Sequence, residues 1–567
     1  MRYLTRIGRH ALLISMMCAP LGVRAAPAPA ATCEMVVEKK WLNFPVRTGA
    51  QKRAVSIRVD GETVRHFELE LAQGDAEWWA PLDVSEWAGK PLRVVVADLP
   101  QESKALDALR QSDVLLDEAT LYQEKLRPQL HFSARRGWIN DPNGLVFYQG
   151  EYHLFFQHNP YGCTWGNMHW GHATSSDLVH WQEQGEALYP DAMGPMFSGS
   201  AVVDWHNTSG FGKDGKPPLV LVYTAAGNPA TQCLAFTTDG RSFTKFSGNP
   251  VVPQITGGNR DPKVFWHEPT RKWVMVLYVG RPNPGGAADA RGKPPVKHTI
   301  HFLTSPNLRD WTQASVTEGG TDGSPYLYEC PDFFELAVDG EASMKKWVLT
   351  GANNEYAIGT FDGTTFSPEV SRLAGVPGRG YYAAQTFSDI PDGRRIQIGW
   401  CQAPSPQMSF NQAQSQLSEL TLRTTRDGLR LARQPVKELT SLRDGPNQAA
   451  TLASFRAGMI ELRAEIDPGD AGSVEFTLRG AKVIYDARRQ ELSVNGLRAP
   501  APLVDGKQRL IVFVDRTMLE VFASDGLTYV PLPFIPKEED QSVALEIQGG
   551  KNHLNSLQVY KLKSIWK

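Results

Sequence analysis

Ser175-Ser176-Asp177-Leu178-Val179-His180-Trp181 returns in altered form three times: Thr237-Thr238-Asp239-Gly240-Arg241-Ser242-Phe243, Thr304-Ser305-Pro306-Asn307-Leu308-Arg309-Asp310-Trp311 and Phe361-Asp362-Gly363-Thr364-Thr365-Phe366. Thr424-Thr425-Arg426-Asp427-Gly428-Leu429 is a fifth, weaker copy. Each joins a Ser/Thr/Asp/Gly turn to an aromatic or apolar residue, as a hairpin at the outer edge of a sheet does. Strand-like apolar runs lie between the copies, at 152–156, 219–223, 273–278 and 347–350. A second series keeps step with the first. Asp141, Ser198, Asp261, Glu329 and Tyr382 occupy polar turn positions 57, 63, 68 and 53 residues apart. Repeats of this length, each a few strands long, predict a five-bladed β-propeller over 127–432. The innermost strands of a propeller face one channel, so residues at matching positions meet there although they are distant in the chain.

The flanks read differently. Over 33–100, Val55, Ile57 and Val59 alternate with Ser56, Arg58 and Asp60, and Phe67, Leu69 and Leu71 alternate with Glu68 and Glu70. That period of two predicts a small antiparallel β-sandwich. Residues 101–126 carry Leu106 and Leu109 at helical spacing, which predicts a helical linker. From 446 to 567 short alternating strands return, such as 460–466, 510–514 and 518–522, and predict a second sandwich. The segment 433–443 connects it to the propeller. The expected fold class is therefore all-β throughout.

Composition narrows the function. The 567 residues are 41% hydrophobic and 21% charged, ordinary for a soluble globular protein, and the length calls for more than one domain. A formal net charge of −2 gives no electrostatic footprint for nucleic acid or an anionic membrane. Residues 1–25 read as a signal peptide: Arg2, Arg6 and Arg9 precede the short apolar stretch 11–23, and Val23-Arg24-Ala25 resembles a cleavage site. The expected destination is secreted or periplasmic, with no membrane span once the signal is removed. Five cysteines then remain, widely spaced and odd in number, so no disulfide framework is evident. His169 and His172 stand alone at i, i+3, too few for a zinc site, and no metal or other cofactor is expected. The oligomeric state is left open by the sequence.

Three of the five turn positions are acids. Asp141 lies in Asn140-Asp141-Pro142-Asn143-Gly144, Asp261 in Arg260-Asp261-Pro262, and Glu329 in Tyr328-Glu329-Cys330-Pro331-Asp332. Taken singly, each is a turn or a structural ion pair. Three acids converging on one channel can supply a nucleophilic carboxylate, a protonated carboxyl and a third fixed charge, which glycoside hydrolysis requires.

The motifs 138–144, Phe156-Gln157-His158-Asn159-Pro160, Trp165-Gly166, Trp170-Gly171-His172-Ala173, Phe197-Ser198-Gly199-Ser200, Arg260-Asp261-Pro262 and Glu329-Cys330-Pro331-Asp332 stand in one order. Together they resemble glycoside hydrolase family 32, the invertases, inulinases and levanases. The stretch 514–522 is similar to the late strand motif of that family's C-terminal sandwich. The resemblance spans about 127–567, leaving the first sandwich as an extra module. It implies Asp141 as nucleophile, Glu329 as acid/base and Asp261 as the group gripping sugar hydroxyls, with the anomeric configuration retained through a fructosyl-enzyme ester. It also implies sugar contacts from Asn140, Gln157, Trp165, Phe197, Ser198 and Arg260, to which Trp400 is added. For chemistry, Asp141 should be ionised and kept so by neighbouring hydrogen bonds, while Glu329 must start protonated. One departure stands out: the segment Arg379-Gly380-Tyr381-Tyr382-Ala383-Ala384 lacks the acid that family members commonly carry before Tyr-Ala.

The expected activity is that of an exported, retaining exo-β-fructosidase acting on fructans, levan above the rest. An invertase, an inulinase and a fructosyltransferase are the alternatives within the enzyme class. A fructan-binding propeller without catalysis is the alternative outside it.

Overall fold

The computed structural model describes residues 30–100, 103–286, 295–319, 326–377, 380–468, 472–549 and 553–566. The signal peptide read from 1–25 lies outside them, as does Arg379. Among the described residues no helix is long and apolar enough to cross a membrane.

From Gly137 onward the chain builds antiparallel sheets in sequence order. The first runs outward through Gly137–Tyr148, Glu151–Asn159, His169–Ser175 and Gln182–Leu188. The second starts at Met196–Val203 and the third at Gly258–His267, each with four strands. The groups that begin at Asp332–Val338 and Tyr381–Thr386 are fused into one nine-stranded sheet by a single parallel pairing, Val338 with Leu422.

The recurring turn is an Asx turn with the same bonds in four of the copies; in the fifth, Thr425 Oγ1 bonds Asp427 N–H and the Gly428 carbonyl instead. Asp177 Oδ1 accepts from the N–H groups of Val179 (2.9 Å) and His180 (2.8 Å), and Asp239 Oδ1 accepts from Arg241 and Ser242, both at 2.8 Å. Asn307 and Asp362 do the same for the two residues following at i+2 and i+3. A short side-chain acceptor reverses the chain between the third and fourth strands, which is why Asp or Asn recurs there.

The first strands of successive sheets are stitched into a closed ring. Gly199 N–H donates to Asn143 Oδ1 (3.3 Å), and Ser200 Oγ donates to the Pro262 carbonyl (2.9 Å) while accepting from Val264 N–H. Buried Lys263 pairs with buried Asp332 at 2.9 Å, and Asp332 also accepts from Thr386 N–H (2.7 Å). Ser388 closes the circle with backbone bonds to Leu145 and Phe147. These central polar groups are almost water-free, so each needs the partner that the neighbouring sheet supplies.

Two sandwiches flank this propeller. The first has a sheet ordered Ala31–Val36, Pro91–Val96, Lys52–Val59, Glu62–Glu70, facing a smaller sheet of Trp78–Asp83, Trp41–Val46 and Arg110–Ser112. The module thus reaches past residue 100. The helical linker expected over 101–126 does not form: the described residues give the strand Arg110–Ser112, turns and one 3₁₀ turn, Glu118–Thr120. Leu106 and Leu109 instead pack onto the sandwich core, where burial outweighs weak helical spacing. The last propeller strand ends at Pro435, and the 3₁₀ segment Lys437–Leu442 leads to a C-terminal pair of five-stranded sheets. Asp515 staples that sandwich to the propeller, accepting from Gln129 N–H, Leu130 N–H and His131 Nδ1 within 2.8–3.0 Å.

Candidate active site

Four of the inner strands break register where they reach the ring's mouth. Pairing slips between Ile139 and Pro142, between Phe197 and Gly199, between Arg260 and Lys263, and between Tyr382 and Gln385. Those gaps hold Asn140-Asp141, Ser198, Asp261-Pro262 and Ala383-Ala384. A bulge inserts residues that make no ladder contact and re-aims their side chains, here into the channel. Asp261, Glu329, Cys330 and Ala383 hold φ of 63°, 34°, 41° and 50°, a left-handed backbone that non-glycine residues seldom adopt and that tertiary contacts must impose.

The result is one pocket of about 170 Å³. Asp141, Asp261 and Glu329 line it together with Asn140, Ser198 and Arg260. Gln157, Trp165, Phe197 and Trp400 form the rest of the wall, so every residue proposed from the sequence is gathered there. Tyr382 joins them. In the sequence it stands fifth in the interval series, and that position is the signal for it.

The polar bonding is dense. Asp141 accepts from Ser198 Oγ (2.8 Å), Asn140 Nδ2 (3.1 Å) and the Cys330 thiol (3.4 Å). Asp261 accepts from Cys330 N–H (3.0 Å), and the thiol reaches it too at 3.4 Å. Cys330 therefore touches both aspartates. Burial and the adjacent carboxylates push its thiol well up, so it remains an S–H donor that the two can share. Glu329 Oε2 accepts from Arg260 Nε (3.0 Å) and Nη2 (2.7 Å), and its Oε1 from the Tyr382 hydroxyl (2.5 Å). Burial and the Glu329 charge push the Tyr382 phenol up, so it stays a donor. Tyr328 OH supports Arg260 at 3.1 Å, and Thr224 Oγ1 anchors Asp261 N–H at 2.9 Å. None of Cys330, Tyr328, Tyr382 or Thr224 was assigned to the site from sequence.

One electrostatic expectation is reversed. Burial raises the Asp141 carboxyl above its ordinary range despite the bonds from Ser198, Asn140 and Cys330, with the charge of Glu329 adding to the rise. Asp261 is raised to about 7 by burial and by the two neighbouring acids, against the pull of Arg260 at 3.7 Å. Hydrogen bonds count for less here than lost hydration, because three acids share one dry space.

The apolar wall is also fixed. Trp165 and Phe197 meet edge to face at 5.9 Å, and Trp400 packs similarly on Trp138, with its indole N–H donating to Gln412 (3.2 Å). Gln157 is buried with its amide nitrogen unbonded within the described structure, an open donor at the pocket wall.

An all-β ring with a cluster of carboxylates at its mouth, flanked by aromatic faces, carries the groups that a glycoside hydrolase needs. Comparison with known proteins places it further. The description "Glycosyl hydrolases family 32 N-terminal domain" matches residues 131–435, and "Glycosyl hydrolases family 32 C terminal" matches 428–561. The chain is 39% identical to a levanase of Bacillus subtilis over 507 residues, covering 79% of this chain and 72% of that one. It is 32% identical to the extracellular exo-inulinase of Aspergillus niger, covering 78% and 96%. Among solved structures, exo-inulinase from Aspergillus awamori superposes with a TM-score of 0.68 at 28% identity, covering 78% of this chain and all of that one. A Schwanniomyces occidentalis β-fructofuranosidase complexed with fructosyl-erythritol gives 0.65 at 26%, covering 79% and 99%. The protein belongs to glycosyl hydrolase family 32, as a fructosidase with a propeller catalytic domain, a C-terminal β-sandwich and a further module before them.

Proposed function

We propose that the chain is a secreted exo-β-fructosidase that removes terminal β-D-fructofuranosyl units from fructans, levan first, with retention of configuration. The observation that carries the reading is the convergence of Asp141, Asp261 and Glu329, from three separate segments, on one small pocket. Asp141 is the nucleophile. Its Oδ2 is held by Ser198, so the attacking oxygen is oriented before substrate arrives. Glu329 is the acid/base, its oxygens oriented by Arg260 and Tyr382. Asp261 and Asn140 grip ring hydroxyls, and Gln157 supplies the free amide donor. Trp165, Phe197 and Trp400 shape the wall against the furanose.

Protonation suits the order of events. Burial and the neighbouring acids raise both aspartates, Asp261 to about 7, which favours retention of a proton in the pocket. Substrate hydroxyls donating to Asp261 would favour its charged form, while protonated Glu329 gives its own proton to the leaving oxygen. Attack by Asp141 then forms the fructosyl ester, and Glu329 activates water to release it.

Levan as the favoured polymer is supported by the higher identity to the B. subtilis levanase than to the Aspergillus inulinases. Secretion is supported by the N-terminal signal pattern and by relatives described as extracellular. Levan, inulin and sucrose incubated in parallel test the reading. Fructose alone, fastest from levan and released as the β-anomer in early NMR spectra, is expected. A ladder of oligomers would refute exo action, and α-fructose as first product would refute retention.

A further inference from the structure

Residues before 131 lie outside both family matches, yet the module they build grips the pocket wall. The connection between Glu151–Asn159 and His169–Ser175 carries Trp165 to the pocket lip, where the residue is 54% exposed. Beyond its edge-to-face contact with Phe197, a ring this exposed has little packing of its own to hold it. Both shoulders of its loop are nevertheless clamped from the module. On one side, the Phe67 ring stacks on Tyr161, centroids 3.8 Å apart and planes within 16°. Tyr161 and Cys163 are buried as part of the module's own apolar core. On the other side, the Asn167 side chain accepts from Glu68 N–H and donates to the Glu68 carbonyl, both at 2.8 Å, as a neighbouring strand would. The propeller holds the same loop from below through Asn159, which donates to the Thr164 carbonyl (2.8 Å) and accepts from Asn167 Nδ2 (3.0 Å). Trp165 thus stands on an arch with both feet fixed, and its module-side supports belong to a single strand, Glu62–Glu70.

We infer that the N-terminal module is a brace for the active-site wall: Phe67 and Glu68 are positioning residues that hold Trp165 in its sugar-binding place without touching sugar. The inference rests on the reading of the pocket as the fructosyl site. An unbraced loop samples other positions, and apparent affinity falls in proportion to the fraction that is correctly placed. Asp141 and Asp261 stand on other strands and Glu329 on the segment before Asp332–Val338, so loosening the arch changes binding and leaves chemistry alone.

The test uses the full-length chain labelled with 5-fluorotryptophan, with the Trp165 resonance assigned by its loss in W165F. F67A should shift or broaden that resonance and raise KM for a short fructo-oligosaccharide roughly tenfold, with kcat changed less than about twofold. F67Y, which keeps the stacked ring, should restore both. An unmoved Trp165 signal in folded F67A, or a fall in kcat at constant KM, overturns the brace. Should F67A fail to fold, N167G serves instead. It removes both links to Glu68, and with them the bond to Asn159, while glycine tolerates the left-handed backbone there (φ 44°). An unchanged signal and KM in N167G would equally sink the idea. A parent chain inactive on every fructoside would defeat the functional reading, while the fluorine signal would still judge the brace.

Discussion

Replacing Glu329 by glutamine removes a transferable proton while sparing the geometry. In the parent, Oε2 accepts two bonds from Arg260 and Oε1 accepts one from Tyr382. A glutamine can keep its carbonyl toward Arg260 and turn its amide toward Tyr382, whose hydroxyl rotates to accept. The pocket therefore survives, and the loss isolates proton transfer. General acid catalysis is worth about 10²–10⁴-fold, or about 3–5 kcal/mol of barrier. That penalty applies where the departing oxygen needs a proton, as in a fructan or sucrose. With fructosyl fluoride, or an aryl fructoside with an acidic phenol, the first step needs little help, and the rate of that step should fall less than about tenfold. The assay is pre-steady-state release of leaving group from both substrate types, followed by azide rescue of the trapped ester. Equal losses on both substrates would remove Glu329 from the acid role.

Three further outcomes follow from the same structure. Y382F deletes the 2.5 Å donor to Glu329 and should lower kcat/KM about tenfold or more while displacing the pH–rate profile; an unshifted profile would make the tyrosine a packing group only. K263M strands buried Asp332 without its cation and should cost about 3–5 kcal/mol in urea unfolding; a loss below about 1 kcal/mol would mean the ring does not depend on that pair. His131 gives a pH signature: burial lowers it, but the Glu520 and Asp515 carboxylates raise it overall, to about 9. Its contribution is then complete below about pH 6.5 and lost as pH rises through 9, at most about 3 kcal/mol. H131Q should flatten that part of the stability curve, and an identical slope in parent and variant would refute the assignment.

Much of this protein was legible in the chain. The Asx turns at Asp177, Asp239, Asn307 and Asp362 are local devices whose bonds span three residues, so their recurrence declared outer hairpins and hence a propeller. The interval series from Asp141 to Tyr382 marks ring positions, because repeated sheets place equivalent residues at one mouth. The linker around Leu106 and Leu109 has helical spacing but no helix, since two apolar residues so spaced are equally served by a neighbouring sheet. What only the folded molecule decided lies between segments. The thiol of Cys330 shared by two aspartates, the rise of Asp141 under burial, the Tyr382–Glu329 bond and the grip of Phe67 on Tyr161 all join residues tens to hundreds apart. Local sequence encodes turns and periodicity because those interactions are short in range. Dehydration and cross-strand contacts depend on which surfaces meet, and that is set by the closure of the whole ring.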